Sequence, residues 1–283
     1  MKHTIFSIFC LILLFFAPQF PGALELEVLG GVNSMTFDPN GTTNAAIFPA
    51  HLFPIGKISV RGDLTDSMSF KVTAERDNIL LNSLSFSLYN RTDNFRFEFG
   101  PFIGMGDSLE VPNIGIIGSL EITFPGIAFL SFGGSSTMDS IFDFTSADSR
   151  ESAEAKVGFW LPNIILSGSA DIRSLTRHPD NLEIRDTLTR FFVSADFFIK
   201  NIPVTIRLDA GYELYVRDYK GTNETKDELN VWFAGVDLSW QVTKPLRITA
   251  NLEFPFLPSA RSIKSPDFWN MFKATAGIVY TFF

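Results

Sequence analysis

The residues of this 283-residue chain that could do chemistry are many acids and bases and only three histidines. His178 stands in "RHPD" between Arg177 and Asp180, and Asp143, Asp148 and Ser149 offer carboxylates and a hydroxyl. Nucleophilic catalysis needs a base within hydrogen-bond reach of the nucleophile, and a third group to orient the base. No spacing here fixes such a triad, and a histidine beside proline and aspartate has the composition of a solvated turn. His51, the other histidine beyond the first 23 residues, also falls in a loop. An enzyme is therefore not expected. No Cys/His cluster has metal-ligand spacing, and "GGSS" at 133–136 lacks the lysine and the helix of a phosphate loop. No metal and no cofactor is expected. A net charge of −8 argues against nucleic acid, which needs a basic footprint.

The charges themselves form a pattern. Side chains of a strand alternate between its two faces. Within "SFKVTAE", "FRFEF" and "LRITANLEF" the apolar residues take one parity and the charged residues the other. Lys57, Arg61, Lys71, Glu75, Arg96, Glu98, Glu121, Glu154, Lys156, Asp171, Arg190, Asp196, Arg207, Asp209, Asp237, Arg247, Glu253 and Lys273 all fall on the parity opposite the apolar one, as do Glu25, Glu27, Arg173 and Glu213. The set is ten bases and twelve acids. A wall of such composition holds water and polar solutes. Inward arginines and acids could equally pair across strands and brace that wall.

The elements that must position these residues are strands. Period two predicts them near 24–37, 55–65, 68–77, 79–89, 95–103, 114–124, 127–138, 153–161, 164–174, 188–199, 203–217, 228–241, 246–256 and 269–283. Nothing of comparable length has helical spacing. Connections alternate in length. Short turns such as Pro125-Gly126 and Pro162-Asn163 alternate with stretches such as 38–54, 102–113, 139–152 and 257–268. Only the tight connection near Asp77-Asn78 breaks the rule. Segments 101–113 and 139–144 carry apolar residues that could fold into a mouth or cover a rim.

The first 23 residues read differently from the rest. Lys2 and His3 precede an apolar run from Ile5 to Phe16, then Pro18 and the small residues Gly22 and Ala23. This is the layout of a secretory signal peptide, with cleavage after Ala23. The run is too short, and its flanks are wrong, for a stable span. Cys10 is the only cysteine and leaves with this segment, so no disulfide is expected in residues 24–283. Those residues form one domain and contain no run of ~18 apolar residues.

Export, alternation and alternating loop lengths together predict an all-β protein. The expected fold is a closed antiparallel up-and-down transmembrane β-barrel of about fourteen strands, twelve being possible. A charge facing lipid at mid-depth costs about 2–4 kcal/mol, which accounts for its exclusion from the apolar parity. Trp240, Tyr212, Tyr280 and Phe124 have the outward parity and could sit at the membrane interfaces. The chain ends in "AGIVYTFF". That ending resembles the C-terminal strand of Gram-negative outer-membrane β-barrels, and the size of the chain is like that of small monomeric fourteen-stranded porins. The resemblance implies that Tyr280, Phe282 and Phe283 carry the signal read by the barrel-assembly machinery, with Phe283 one residue beyond the usual Tyr-x-Phe ending. It also implies an outer-membrane location and contact with the lipid bilayer.

The function then expected is passive diffusion of small hydrophilic solutes through the charged lumen. Ion preference would be weak and lean to cations, because Asp107, Glu110, Asp139, Asp143, Asp148 and Glu151 add negative charge in the loops. Two alternatives stand beside it. One is a transporter of hydrophobic compounds, similar to long-chain fatty-acid channels; those are much longer and place a plug domain before the first strand. The other is a structural or adhesin barrel whose loops bind a partner.

Overall fold

A computed structural model describes residues 23–35, 37, 52–105, 113–137, 149–178, 182–220, 225–261 and 271–282. Residues 1–22, His51, Phe283 and segments 106–112 and 138–148 lie outside this set. They include nearly all of the expected signal peptide, the last expected assembly residue and most of both apolar loop segments. Within the described residues the chain forms fourteen strands. They are β1 (Leu24–Asn33), β2 (Phe53–Asp63), β3 (Met68–Asp77), β4 (Leu81–Arg91), β5 (Phe95–Met105), β6 (Asn113–Phe124), β7 (Ala128–Thr137), β8 (Ser149–Leu161), β9 (Ile164–Arg177), β10 (Glu183–Phe198), β11 (Val204–Lys220), β12 (Thr225–Gln241), β13 (Leu246–Arg261) and β14 (Lys273–Phe282).

Each strand pairs antiparallel with its sequence neighbours, and β1 pairs with β14 as well as with β2. The sheet is closed, so no edge is left to pair with another chain. The closing ladder runs from Leu24 opposite Phe282 to Asn33 opposite Lys273. Helices long and apolar enough to cross a membrane are absent among the described residues.

The connections sort by end. Residues 64–67, 92–94, 125–127, 162–163, 199–203 and 242–245 close one end, which is called the turn end below. Asn163 and Gly126 take positive φ there, at 63° and 73°, as tight turns require. The other end, called the loop end, carries the longer connections and one exception. Asn78–Leu80 joins β3 to β4 in three residues, fewer than any other connection at that end.

Two features bend the regular pattern. β13 is bulged where Asn230 and Trp232 of β12 change register, and Leu257 there has φ 50°. The β4–β5 ladder is interrupted between Ser85–Phe102 and Leu88–Phe99, where "GP" places Gly100 and Pro101. Pro101 has no N–H to give a ladder. A Cβ at Gly100 would collide with the carbonyl oxygen of Phe86, so the two backbones approach there as only glycine permits.

The predicted strands sit in place, with shifted ends. The largest shifts are at the loop end. β8 begins at Ser149 rather than 153, β10 at Glu183 rather than 188, and β13 runs on to Arg261. Outward side chains there turn polar and inward ones mix apolar Ile184 and Leu188 with charged Arg150 and Asp186, which erases the period-two signal while the backbone ladder continues.

Candidate functional site: the barrel lumen

The parity that carries charge points into the barrel, where the side chains meet in three levels. Nearest the turn end, Arg61 lies over the Tyr89 ring at 5.5 Å, and Lys71 donates to the Tyr89 hydroxyl at 3.2 Å. Arg96 faces Glu121 at 4.0 Å, and Glu98 accepts from Ser87 and Ser119 at 2.7 and 3.2 Å. Lys156 stands over the Phe129 ring at 5.7 Å. Arg247 lies opposite Gln241 and Val279, and its Nε has no hydrogen-bond partner among the described residues.

The middle level is a network of ion pairs. Arg190 meets Glu213 at 2.7 Å and Glu253 at 2.9 Å, and Lys273 meets Glu253 at 2.9 Å. Arg207 meets Asp196 at 2.5 Å, and Lys57 meets Glu27 at 2.7 Å. Arg173 holds Asp171 at 3.0 Å and Asp77 at 2.6 Å. Two cavities lie here. One, of about 340 Å³, is lined by Lys57, Glu75, Arg190, Arg207, Asp209, Asp237, Glu253 and Lys273 among others. The second, of about 260 Å³, reaches Glu98, Glu154 and Asp171. Glu75, Asp77 and Arg173 border both.

At the loop end the lumen turns apolar. Met35, Phe37, Ile79, Leu188, Tyr215, Leu229, Val231 and Met271 are buried in one cluster. Phe53, Leu81 and Leu175 form a second. Beside them Arg217, with no exposed surface, is clamped by Asp186 at 2.5 Å, and Arg177 reaches the same carboxylate at 2.7 Å.

The outer face is the inverse of this interior. Phe97 and Val157 are 50 % and 38 % exposed there, and Phe99, Phe132, Phe159, Phe191, Val193, Leu208, Trp232, Val236 and Phe254 are exposed with them. Trp240, Tyr280 and Phe124 of the expected interface residues are exposed; Tyr212 is half-buried, edge-on to Trp232, with its hydroxyl bonded to Asn230. A water-soluble barrel would bury this apolar face and expose its charges; here a continuous apolar exterior surrounds a charged interior. The chain is an outer-membrane β-barrel.

Comparison with solved structures gives distant matches. An outer-membrane channel from Pseudomonas putida F1 superposes with a TM-score of 0.50 at 9% identity, covering 93% of this chain and 96% of that one. A loop-deleted form of OmpT, an outer membrane protein of Vibrio cholerae, gives 0.42 at 12% identity over 92% and 97%. An anion-selective porin from Comamonas acidovorans gives 0.40 at 11% over 92% and 98%. No family model and no curated relative matches the sequence.

In this outer-membrane β-barrel, β8 to β13 are 13–17 residues long, whereas the other strands have 10–12. About 9–11 residues of a tilted strand suffice to cross the bilayer. The surplus rises on one side at the loop end. Its outer surface there is polar, with Glu151–Arg185 at 3.3 Å, Lys220–Glu183 at 2.8 Å and Lys226–Glu228 at 2.7 Å.

Sequence reasoning missed Asp77, Arg150, Asp186 and Arg217. Asp77 ended a predicted strand and led into the connection that broke the loop rule. Arg150 and Asp186 fell before the predicted starts of β8 and β10. Extending parity outward from Glu154, Arg190 and Glu213 in steps of two would have found Arg150, Asp186 and Arg217. His178 lies just beyond β9; Asp180, Asp143 and Asp148 lie outside the described residues. Groups of three or more His, Cys, Asp or Glu able to hold a metal are absent among the described residues.

Proposed function

We propose that the barrel is a channel for passive diffusion of small hydrophilic solutes, with a preference for cations. Charge pairing in the larger cavity is the observation that carries this reading. Each base on its wall already meets an acceptor: Lys57 has Glu27, Arg76 the Pro54 carbonyl, Arg173 Asp77, Arg190 Glu213, Arg207 Asp196 and Lys273 Glu253. Glu75, Asp209 and Asp237 line the same cavity without an ion-pair partner within 4.0 Å among the described residues. One oxygen of Asp209 has no hydrogen-bond partner there at all. A paired base offers a passing anion little, whereas an unpaired carboxylate in a confined space attracts a cation.

On this reading the inward residues predicted from parity, Lys57 through Lys273, line the pore, and the protein has no catalytic role. The ring of Tyr280 packs edge-on against that of Phe282 at 4.7 Å on the outer face of β14. In the same reading they present the assembly signal to the barrel-assembly machinery. The test is recording in planar bilayers from residues 24–283 refolded in detergent. Discrete current steps with a cation-favouring reversal potential in a salt gradient are expected. A silent bilayer at high protein load would overturn the channel.

A further inference from the structure

We propose that the Asn78–Leu80 turn is the gate of this channel, latched shut by Arg173 and Arg150, which reach it from β9 and β8. This rests on the channel reading above, and concerns what limits flow rather than what flows.

The turn folds inward. Ile79 is 2 % exposed and lies in the cluster with Leu188, Tyr215, Leu229 and Val231 of β10, β11 and β12. In the closed strand order those strands stand across the barrel from β3 and β4. One buried cluster therefore joins the turn to the wall across the mouth. Met35 and Phe37 join it from the end of β1.

The turn is fastened by groups remote in sequence. Asp77 accepts from the N–H groups of Ile79 and Leu80 at 2.7 and 2.8 Å, which fixes the turn's shape. Arg173 of β9 then holds the other oxygen of Asp77 at 2.6 Å. Arg150 of β8 donates from Nε to the Leu80 carbonyl at 2.8 Å, and its position is set by Asn113. Asn78 donates to the Met35 carbonyl at 2.9 Å. The Asp77–Arg173 pair stands between the two cavities and belongs to the wall of each.

The backbone carries a matching strain. Leu81 has φ 59°, a region that glycine or asparagine usually fills. Its side chain is held inside with Phe53 and Leu175. Such a residue persists only where its surroundings fix it. Cutting the latch removes part of that fixation, and leaves a three-residue turn free to swing out of the mouth.

The experiment compares the unaltered chain with Arg173→Gln, Ile79→Ser and Asp77→Asn, whose amide oxygen can still accept from Ile79 and Leu80. Retained β-sheet circular dichroism shows that each has folded, and Ile79→Ser alters only a turn residue. All three variants are expected to raise single-channel conductance several-fold. A merely altered pore charge would act in opposite senses in Arg173→Gln and Asp77→Asn. Equal conductance in all four would overturn the gate. Silence in all four would overturn the channel, and the gate is then decided by amide hydrogen exchange. Several-fold faster exchange at Ile79 and Leu80 in Arg173→Gln supports it, and unchanged exchange overturns it.

Discussion

Arg190 of β10 reaches Glu253 of β13 at 2.9 Å, across the two strands that lie between them. On the way it meets Glu213 of β11 at 2.7 Å, and it rests over the Phe233 ring at 4.7 Å. One guanidinium thus ties three strands through the lumen rather than through the ladder. Arg190, Glu213 and Glu253 are all nearly buried.

Removing that guanidinium strands the Glu213 carboxylate and takes one of two partners from Glu253. Arg190→Met gives up the cation–π contacts with Phe192 and Phe233, and leaves Glu213 with no ion-pair partner and Glu253 with Lys273 alone. Breaking a buried pair from one side costs about 3–5 kcal/mol. Urea unfolding in lipid vesicles should show a loss of that size. Arg190→Met/Glu213→Gln should recover part of it, because the second change removes the unpaired charge.

The outer face gives a contrasting test. Val193 is 64 % exposed near the middle of β10, where hydrocarbon surrounds it. Val193→Arg should cost about 2–4 kcal/mol in the same unfolding assay, whereas Val193→Leu should be near neutral. A similar cost for both would mean that packing and not lipid sets the value.

Close backbone approach can be read by two alanine substitutions. At Gly100 a methyl group would strike the carbonyl of Phe86 and the backbone of Ser87, neither of which can rotate away. At Gly168 nothing lies within 4 Å of the added carbon. Gly100→Ala should lose about 1–3 kcal/mol or fail to assemble, and Gly168→Ala should fold as the unaltered chain does.

Much of this fold was legible because a barrel in lipid repeats one rule along every strand. Phe95, Phe97 and Phe99 against Arg96 and Glu98 announce which face meets hydrocarbon. The rule fails where lipid ends. Around Arg150 and Glu183 the outward face is polar, while inward Arg150, Ile184, Asp186 and Leu188 are a buried mixture of charged and apolar side chains, so alternation keeps no single sign and the strand starts could not be placed. The mouth was hidden for another reason. Ile79 and Leu188 lie far apart in sequence, and only closure of the sheet sets them opposite each other. Parity places a residue inside the barrel but does not reveal which residue across the lumen it meets. The pairing of Arg173 with Asp77 therefore required coordinates.

Ion selectivity follows from which lumen charges are left over after pairing. Counting inward residues by sign gives near balance and predicts little preference. Pairing changes the count in the larger cavity, because Lys57, Arg173, Arg190, Arg207 and Lys273 are each held by a carboxylate there, whereas Glu75, Asp209 and Asp237 are not. Neutralising those three as Glu75→Gln, Asp209→Asn and Asp237→Asn should move the potassium-to-chloride permeability ratio toward one, with little change in conductance at high salt. Neutralising Glu27 and Asp196 should act differently. It releases Lys57 and Arg207, so the ratio should swing further, toward anions. Salt separates the two cases from a surface effect. The Debye length is about 10 Å at 0.1 M and about 3 Å at 1 M. Charges on the loops should lose their influence over that range, and charges confined in a cavity of about 340 Å³ should keep theirs. Reversal potentials measured at both concentrations check this. A triple variant indistinguishable from the unaltered chain at both would place selectivity outside the cavity, in the loops.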